Sequence, residues 1–157
     1  MKSTKRNATA APLSLSVQYA TKAEGLPTRT EVRKWVRATH PGAAELTVRF
    51  VDAEEGRSLN AQFRGKDYAT NVLTFGYAAE PQVQADLVLC ASVVEREALA
   101  ARRPLQAHYA HLLIHGALHA QGLDHERAAD AAVMEAREVE LLAALGHPNP
   151  YRVRVPR

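Results

Sequence analysis

Residues 108–125 read HYAHLLIHGALHAQGLDH, and five of the chain's seven histidines fall inside this stretch. Side chains four apart leave a helix on the same face. His108, His111, Leu112, His115 and His119 therefore share one face, and Leu113, Ile114 and Leu118 lie away from it. A helix that is apolar on its remaining sides is expected to be central and buried. It follows Pro104, runs over roughly 105–121, and meets Gly122, which is placed to stop it just past the cap.

The flanking sequence fits around such a helix. LSLSVQYA (13–20) and ELTVRFVD (45–52) alternate apolar and polar residues, as half-buried strands do. TNVLTFGY (70–77) and ADLVLCA (85–91) are two further strand-like runs. RTEVRKWVRATH (29–40) places Val32, Trp35 and Val36 on one helical face and is ended by HPG. Residues 53–67 read as a short helix running into a loop, 92–103 as a helix, and 126–146 as a last helix closed by Gly146 and Pro148. Strands cluster early and helices late. That order predicts an α+β fold, with helices packed on a small mixed sheet of about four strands.

The 157 residues suit one domain with a real core, expected over 12–157, preceded by a loose polar arm at 1–11. The net charge of +3 and pI of about 9.2 lean mildly toward an anionic partner, short of a dedicated nucleic-acid binder. Cys90 is the single cysteine, in an apolar run that suits packing, so an internal disulfide and a cysteine-based zinc site are both excluded. A reducing, cytoplasmic setting is expected. No apolar run reaches membrane-spanning length, and MKSTKRNATAAPLS lacks the apolar core of a secretory signal.

His115, His119 and His125 are spaced H-x3-H-x5-H, with Gly122 between the last two. His115 and His119 can reach one ion from adjacent turns, and the turn at Gly122 lets His125 close the triad. Three neutral imidazoles and an open fourth position are the ligand set of a catalytic zinc, although the same set also suits nickel, copper or iron. Such a metal retains its double charge and activates water near neutral pH. His108 and His111 continue the stripe. Direct ligation by them would close the site, so packing, support of a ligand or substrate contact suits them better.

The same spacing is similar to that of the metzincin proteases, which carry a glutamate base after the first histidine. Here that position is Gly116, which transfers no proton. Asp124 precedes His125 and suits either a cap of the last helix or an assisting acid. Glu138 falls inside the apolar stripe Ala131, Met134, Leu141, Leu142 and Leu145. A carboxylate there needs a partner: a site histidine, or water at the rim.

HGALHAQGLDH resembles the H-G-x-L-H-L-x-G-Y-D-H pattern of the YbeY family of bacterial endoribonucleases, the ribosomal-RNA maturation factors. His115, Gly116, Leu118, His119, Gly122, Asp124 and His125 match; Ala120 stands for the usual leucine and Leu123 for the usual tyrosine. SLNAQFRGKDYATNVLTF (58–75) is similar to L-N-x-x-Y-R-x-x-D-x-P-T-N/D-V-L-S-F, with Phe63, Ala69 and Thr74 in place of tyrosine, proline and serine. ADLVLCASVVEREA resembles G-D-I-V-I-x with Ala85 for the glycine, and MEAREVELLAALGHPNPY fits the C-terminal helix and tail. The likeness runs over about residues 12–152.

The resemblance implies zinc on His115, His119 and His125 and cleavage of single-stranded RNA. It further implies maturation of the 3′ end of small-subunit ribosomal RNA, work on the ribosome or its small subunit in quality control, and a functional arginine at Arg64. The chemistry of the residues agrees. Phosphodiester cleavage builds negative charge on phosphoryl oxygens, which a guanidinium beside a metal stabilises. A substrate 2′-OH or activated water also removes the need for a glutamate base. Arg57 and Lys66, near Arg64, suit a solvated loop. Arg33, Lys34, Arg37, Arg102, Arg103, Arg152, Arg154 and Arg157 suit solvated faces. Two other readings stand beside the nuclease: a ribosome-assembly factor with a structural metal, and a metal-dependent peptidase, against which Gly116 speaks.

Overall fold

Alternating side chains build four strands in the computed structural model, which describes residues 11–123 and 126–152. They are β1 (Leu13–Ala20), β2 (Ala44–Val51), β3 (Val72–Ala78) and β4 (Val83–Cys90). The five helices among the described residues are α1 (Arg29–Thr39), α2 (Ala53–Arg64), α3 (Ala91–Ala101), α4 (Leu105–Ala120) and α5 (Ala128–Ala144). The sheet order is β1-β2-β4-β3. β1 and β4 both run parallel to β2, and β3 is antiparallel to β4. The fold is thus α+β on a mixed four-stranded sheet, as the element order predicts.

β4 is interior and buries Val83, Ala85, Leu87, Val88, Leu89 and Cys90, which is why its sequence is nearly continuous in apolar residues. β3 lies at the edge. Val72 packs with the cluster that holds α1, α4 and α5, while Leu73 and Phe75 pack with Leu59 of α2 and Val93 of α3. Alternation along β3 thus assigns its odd and even residues to opposite faces.

α1 starts with a capping box between Thr28 and Glu31 and buries Val32, Trp35 and Val36, the face its periodicity marks. α4 is central. It packs against α1, α3, α5, β3 and β4. Tyr109, Leu113 and Ile114 are wholly buried, each contributing about 1.5–3 kcal/mol of transfer free energy. Gly122 follows its C-cap at φ +100°, a backbone conformation that favours glycine. α5 begins at Ala128 with Arg127 as N-cap, two residues later than the 126 expected from periodicity.

Gly116 has a packing role of its own. A Cβ there would stand 3.2 Å from Leu87 Cδ2 and 3.3 Å from Thr74 Oγ1. The missing side chain lets α4 lie close under β3 and β4, and this brings the histidine face to the sheet's edge.

Candidate metal centre and its cleft

Helical spacing places His111, His115 and His119 along one wall of a cleft of about 420 Å³, and Arg64, Asn71 and Thr74 line the same cleft. The start of β3 supplies much of the opposite wall. No Asp or Glu lines the cleft among the described residues. The enclosed side chains are imidazoles, a guanidinium, a phenol, an amide, hydroxyls and aliphatic groups, a set suited to an anion.

Hydrogen bonds orient the imidazoles. His119 Nδ1 lies 2.9 Å from the Leu123 carbonyl oxygen, which only accepts, so Nδ1 donates. His115 Nδ1 lies 2.9 Å from Glu138 Oε2 and donates to that carboxylate. In the neutral form of each ring the lone pair then sits on Nε2, the state a metal ligand needs. His111 differs: its Nε2 is 2.8 Å from Glu138 Oε1, so the proton is there and the lone pair is on Nδ1. That Nδ1 is buried with no hydrogen-bond partner among the described residues. The bond commits His111 to Glu138.

Glu138 is wholly buried inside the apolar stripe of α5. Burial alone would raise its carboxyl. Hydrogen bonds from His111, His115 and Tyr151 overcome that and hold it down at about 2. The Tyr151 hydroxyl donates to the same Oε1 that accepts from His111. Burial, reinforced by the bond to Glu138, pushes the phenol far above its ordinary range, so it remains a donor. The carboxylate is thus anionic, with each oxygen used.

Arg64 ends α2, where Gly65 turns the chain away. Its Nη2 donates to the Thr74 carbonyl at 2.7 Å, and its guanidinium carbon lies 5.1 Å over the Phe75 ring. No carboxylate pairs with it among the described residues. Arg57 instead pairs with Asp67 in an exposed two-bond fork of 2.7 and 2.9 Å, and Lys66 is exposed. His108 is buried and pairs with Glu97 at 2.9 Å; Glu97 also accepts from Asn71 Nδ2 at 3.0 Å. Asp124 and His125 lie outside the described residues. Among the described residues no group of three metal-binding side chains is complete.

Two residues of this assembly carry no expectation from sequence: Tyr151, and Glu97 as the link between His108 and Asn71. Tyr151 stands thirteen positions beyond Glu138, past the end of α5, where no helical period applies. Glu97 and Asn71 are 26 positions apart.

An α+β domain with an imidazole-walled cleft at the edge of a mixed sheet is the class that fold and site define. The family model for Endoribonuclease YbeY matches residues 16–146. Endoribonuclease YbeY of Methylibium petroleiphilum is 60% identical over 141 residues, covering 88% of this chain and 94% of that protein. Endoribonuclease YbeY of Albidiferax ferrireducens is 57% identical over 145 residues, with 88% and 97% covered. The chain belongs to the YbeY family. Its fold is similar to the solution structure of TM1509 from Thermotoga maritima, with TM-score 0.56 and 22% identity over 88% of this chain and 99% of that one.

Proposed function

We propose that this chain is a zinc-dependent endoribonuclease that cuts single-stranded RNA in the cytoplasm. Its task on this reading is maturation of the 3′ end of small-subunit ribosomal RNA, and quality control of the ribosome. The observation that carries the reading is the cleft itself. Two imidazoles hold their Nε2 lone pairs by hydrogen bonds at Nδ1, and a guanidinium with no acidic partner among the described residues stands at the rim. The names of the relatives supply the reaction.

The donors fit zinc. His115, His119 and His125 would hold it, and when bound it supplies Lewis acidity at the scissile phosphate. Glu138 fixes the ring of His115 and raises its basicity; the Leu123 carbonyl does the same for His119. Arg64 binds the phosphoryl oxygens and stabilises the charge they gain in the transition state. Thr74 and Phe75 keep its guanidinium at the rim. Asn71 orients the start of β3: its Oδ1 accepts from Val72 N at 2.6 Å while its amide is held by Glu97.

The test is cleavage of a labelled single-stranded RNA by wild type, His119→Ala and Arg64→Ala, prepared identically. Wild type is expected to cut and His119→Ala to be inactive. Arg64→Ala is expected to lose about 10²–10³-fold in kcat, the cost of one transition-state donor. Equal cutting by all three would mark a contaminating nuclease. Metal and RNA binding by wild type without cutting would replace the nuclease with an assembly factor.

A further inference from the structure

Phe63 is an aromatic ring left half in water, 52% exposed, at the last turn of α2 beside Arg64. Burial of a phenylalanine side chain is worth about 1.5–3 kcal/mol, so such exposure is a feature to explain. Phe63 meets Phe75 edge-to-face, with centroids 5.3 Å apart and planes at 72°. Phe75 is half-buried against the small core under α2 and α3, and the Arg64 guanidinium covers it at 5.1 Å. Phe63 is therefore held by a fixed neighbour yet turned to solvent.

The chemistry of the neighbourhood selects the occupant. Arg64 lines the cleft and also covers Phe75, so it joins the cleft to the aromatic pair. Lys66 follows two residues on, exposed, and no carboxylate pairs with either cation among the described residues. Single-stranded RNA alternates an anionic phosphate with a flat base. A guanidinium next to a rigid exposed ring offers both partners in that alternation.

We propose that Phe63, backed by Phe75, is a stacking shelf for an unpaired nucleobase next to the phosphate that Arg64 holds. The inference rests on the endoribonuclease reading and adds a base subsite to it. Stacking on Phe63 anchors the strand on one side of the cleft and requires a base that is not paired, which gives single-strand preference a physical source. Any base offers a π-face, so the shelf selects for unpairing more than for sequence.

The experiment uses the full chain with its metal and a labelled ten-nucleotide single strand in which one abasic nucleotide is walked along the sequence. Wild type is expected to lose about tenfold in KM at one abasic position, the value of one stacked base. Phe63→Leu is expected to lose about the same on intact RNA, with kcat nearly unchanged, and to show no further loss at that abasic position. Phe63→Tyr restores binding, and Val133→Ala, an exposed apolar change on α5, has no effect. A thermal melt confirms that Phe63→Leu is folded. If wild type cuts and Phe63→Leu matches it, or the abasic penalty persists undiminished in Phe63→Leu, the shelf is overturned while the nuclease stands. Wild type that neither binds nor cuts RNA overturns both.

Discussion

Replacing Glu138 by glutamine changes almost no volume and removes one charge, so it isolates what the carboxylate does. Oε1 accepts from His111 Nε2 and the Tyr151 hydroxyl, and Oε2 accepts from His115 Nδ1. An amide has one accepting oxygen and one donating nitrogen. With the oxygen toward His111 and Tyr151, the NH2 group meets the N–H of His115. His115 then either loses its bond or moves its proton to Nε2, which abolishes the lone pair a metal needs. With the oxygen toward His115, the NH2 group meets His111, whose proton must move to Nδ1. That atom is buried and has no partner among the described residues. In the first orientation a shift of the His115 proton leaves no buried donor unpaired but forfeits the lone pair a metal needs; without that shift, or in the second orientation, one buried donor is stranded, at a cost of about 1–3 kcal/mol. For a domain of this size that is about 3–10 °C in Tm, measured with metal chelated. Zinc affinity, read by competition with a chromophoric chelator, is expected to fall about 10–100-fold. A chelated Tm within about 1 °C of wild type, together with unchanged zinc affinity, would refute the argument that Glu138 orients His115.

Two further outcomes follow from the packing of α4. Gly116→Glu puts a carboxylate at the position of the protease base, but its Cβ meets Leu87 and Thr74 at 3.2 and 3.3 Å. Overpacking there costs about 1–3 kcal/mol, so a lowered urea midpoint and no peptide cleavage are expected; a stable variant that cuts peptide would defeat the packing account. Burial holds the His108 imidazole below its ordinary 6.5, outweighing the Glu97 bond that raises it, with His111 and Arg103 lowering it further. The folded state then binds fewer protons than the unfolded state in acid. The His108 contribution is therefore full above the unfolded value of 6.5 and lost as pH falls through the lower folded value. His108→Gln is expected to flatten the decline in urea midpoint between about pH 7.5 and 5.5, and an unchanged slope would remove His108 from that decline.

What the sequence makes legible follows from the range of the interactions. The helix with the histidines is readable because its spacing is local: an apolar majority with a polar stripe at i and i+4 admits one embedding, central with one open wall. β4 is readable because an interior strand between helical layers is apolar on both faces. Glu138 is visible as a break in a period, since a carboxylate inside an apolar stripe demands a partner. The period does not say which partner, because His111 and His115 lie 27 and 23 positions away. Tyr151 and the Asn71–Glu97–His108 chain are invisible for the same reason, being joined only by tertiary closure. The start of α5 shifts by two residues because periodicity marks the apolar face of a helix and not its first turn, and no side-chain cap at Arg127 marks it either.

Gly116 ties these levels together. In sequence it is a missing base, and it argues against peptide hydrolysis by subtraction. In the fold it is the close approach of α4 to Leu87 and Thr74. Thr74 is also the residue whose carbonyl holds Arg64. A side chain at 116 would therefore push on the strand that positions the guanidinium. The substitution that removes a proton acceptor from the histidine wall lets α4 lie close under the strand that seats Arg64. On the nuclease reading both effects serve one reaction, because phosphodiester cleavage draws more from a fixed cation at the rim than from a carboxylate that would repel the phosphate.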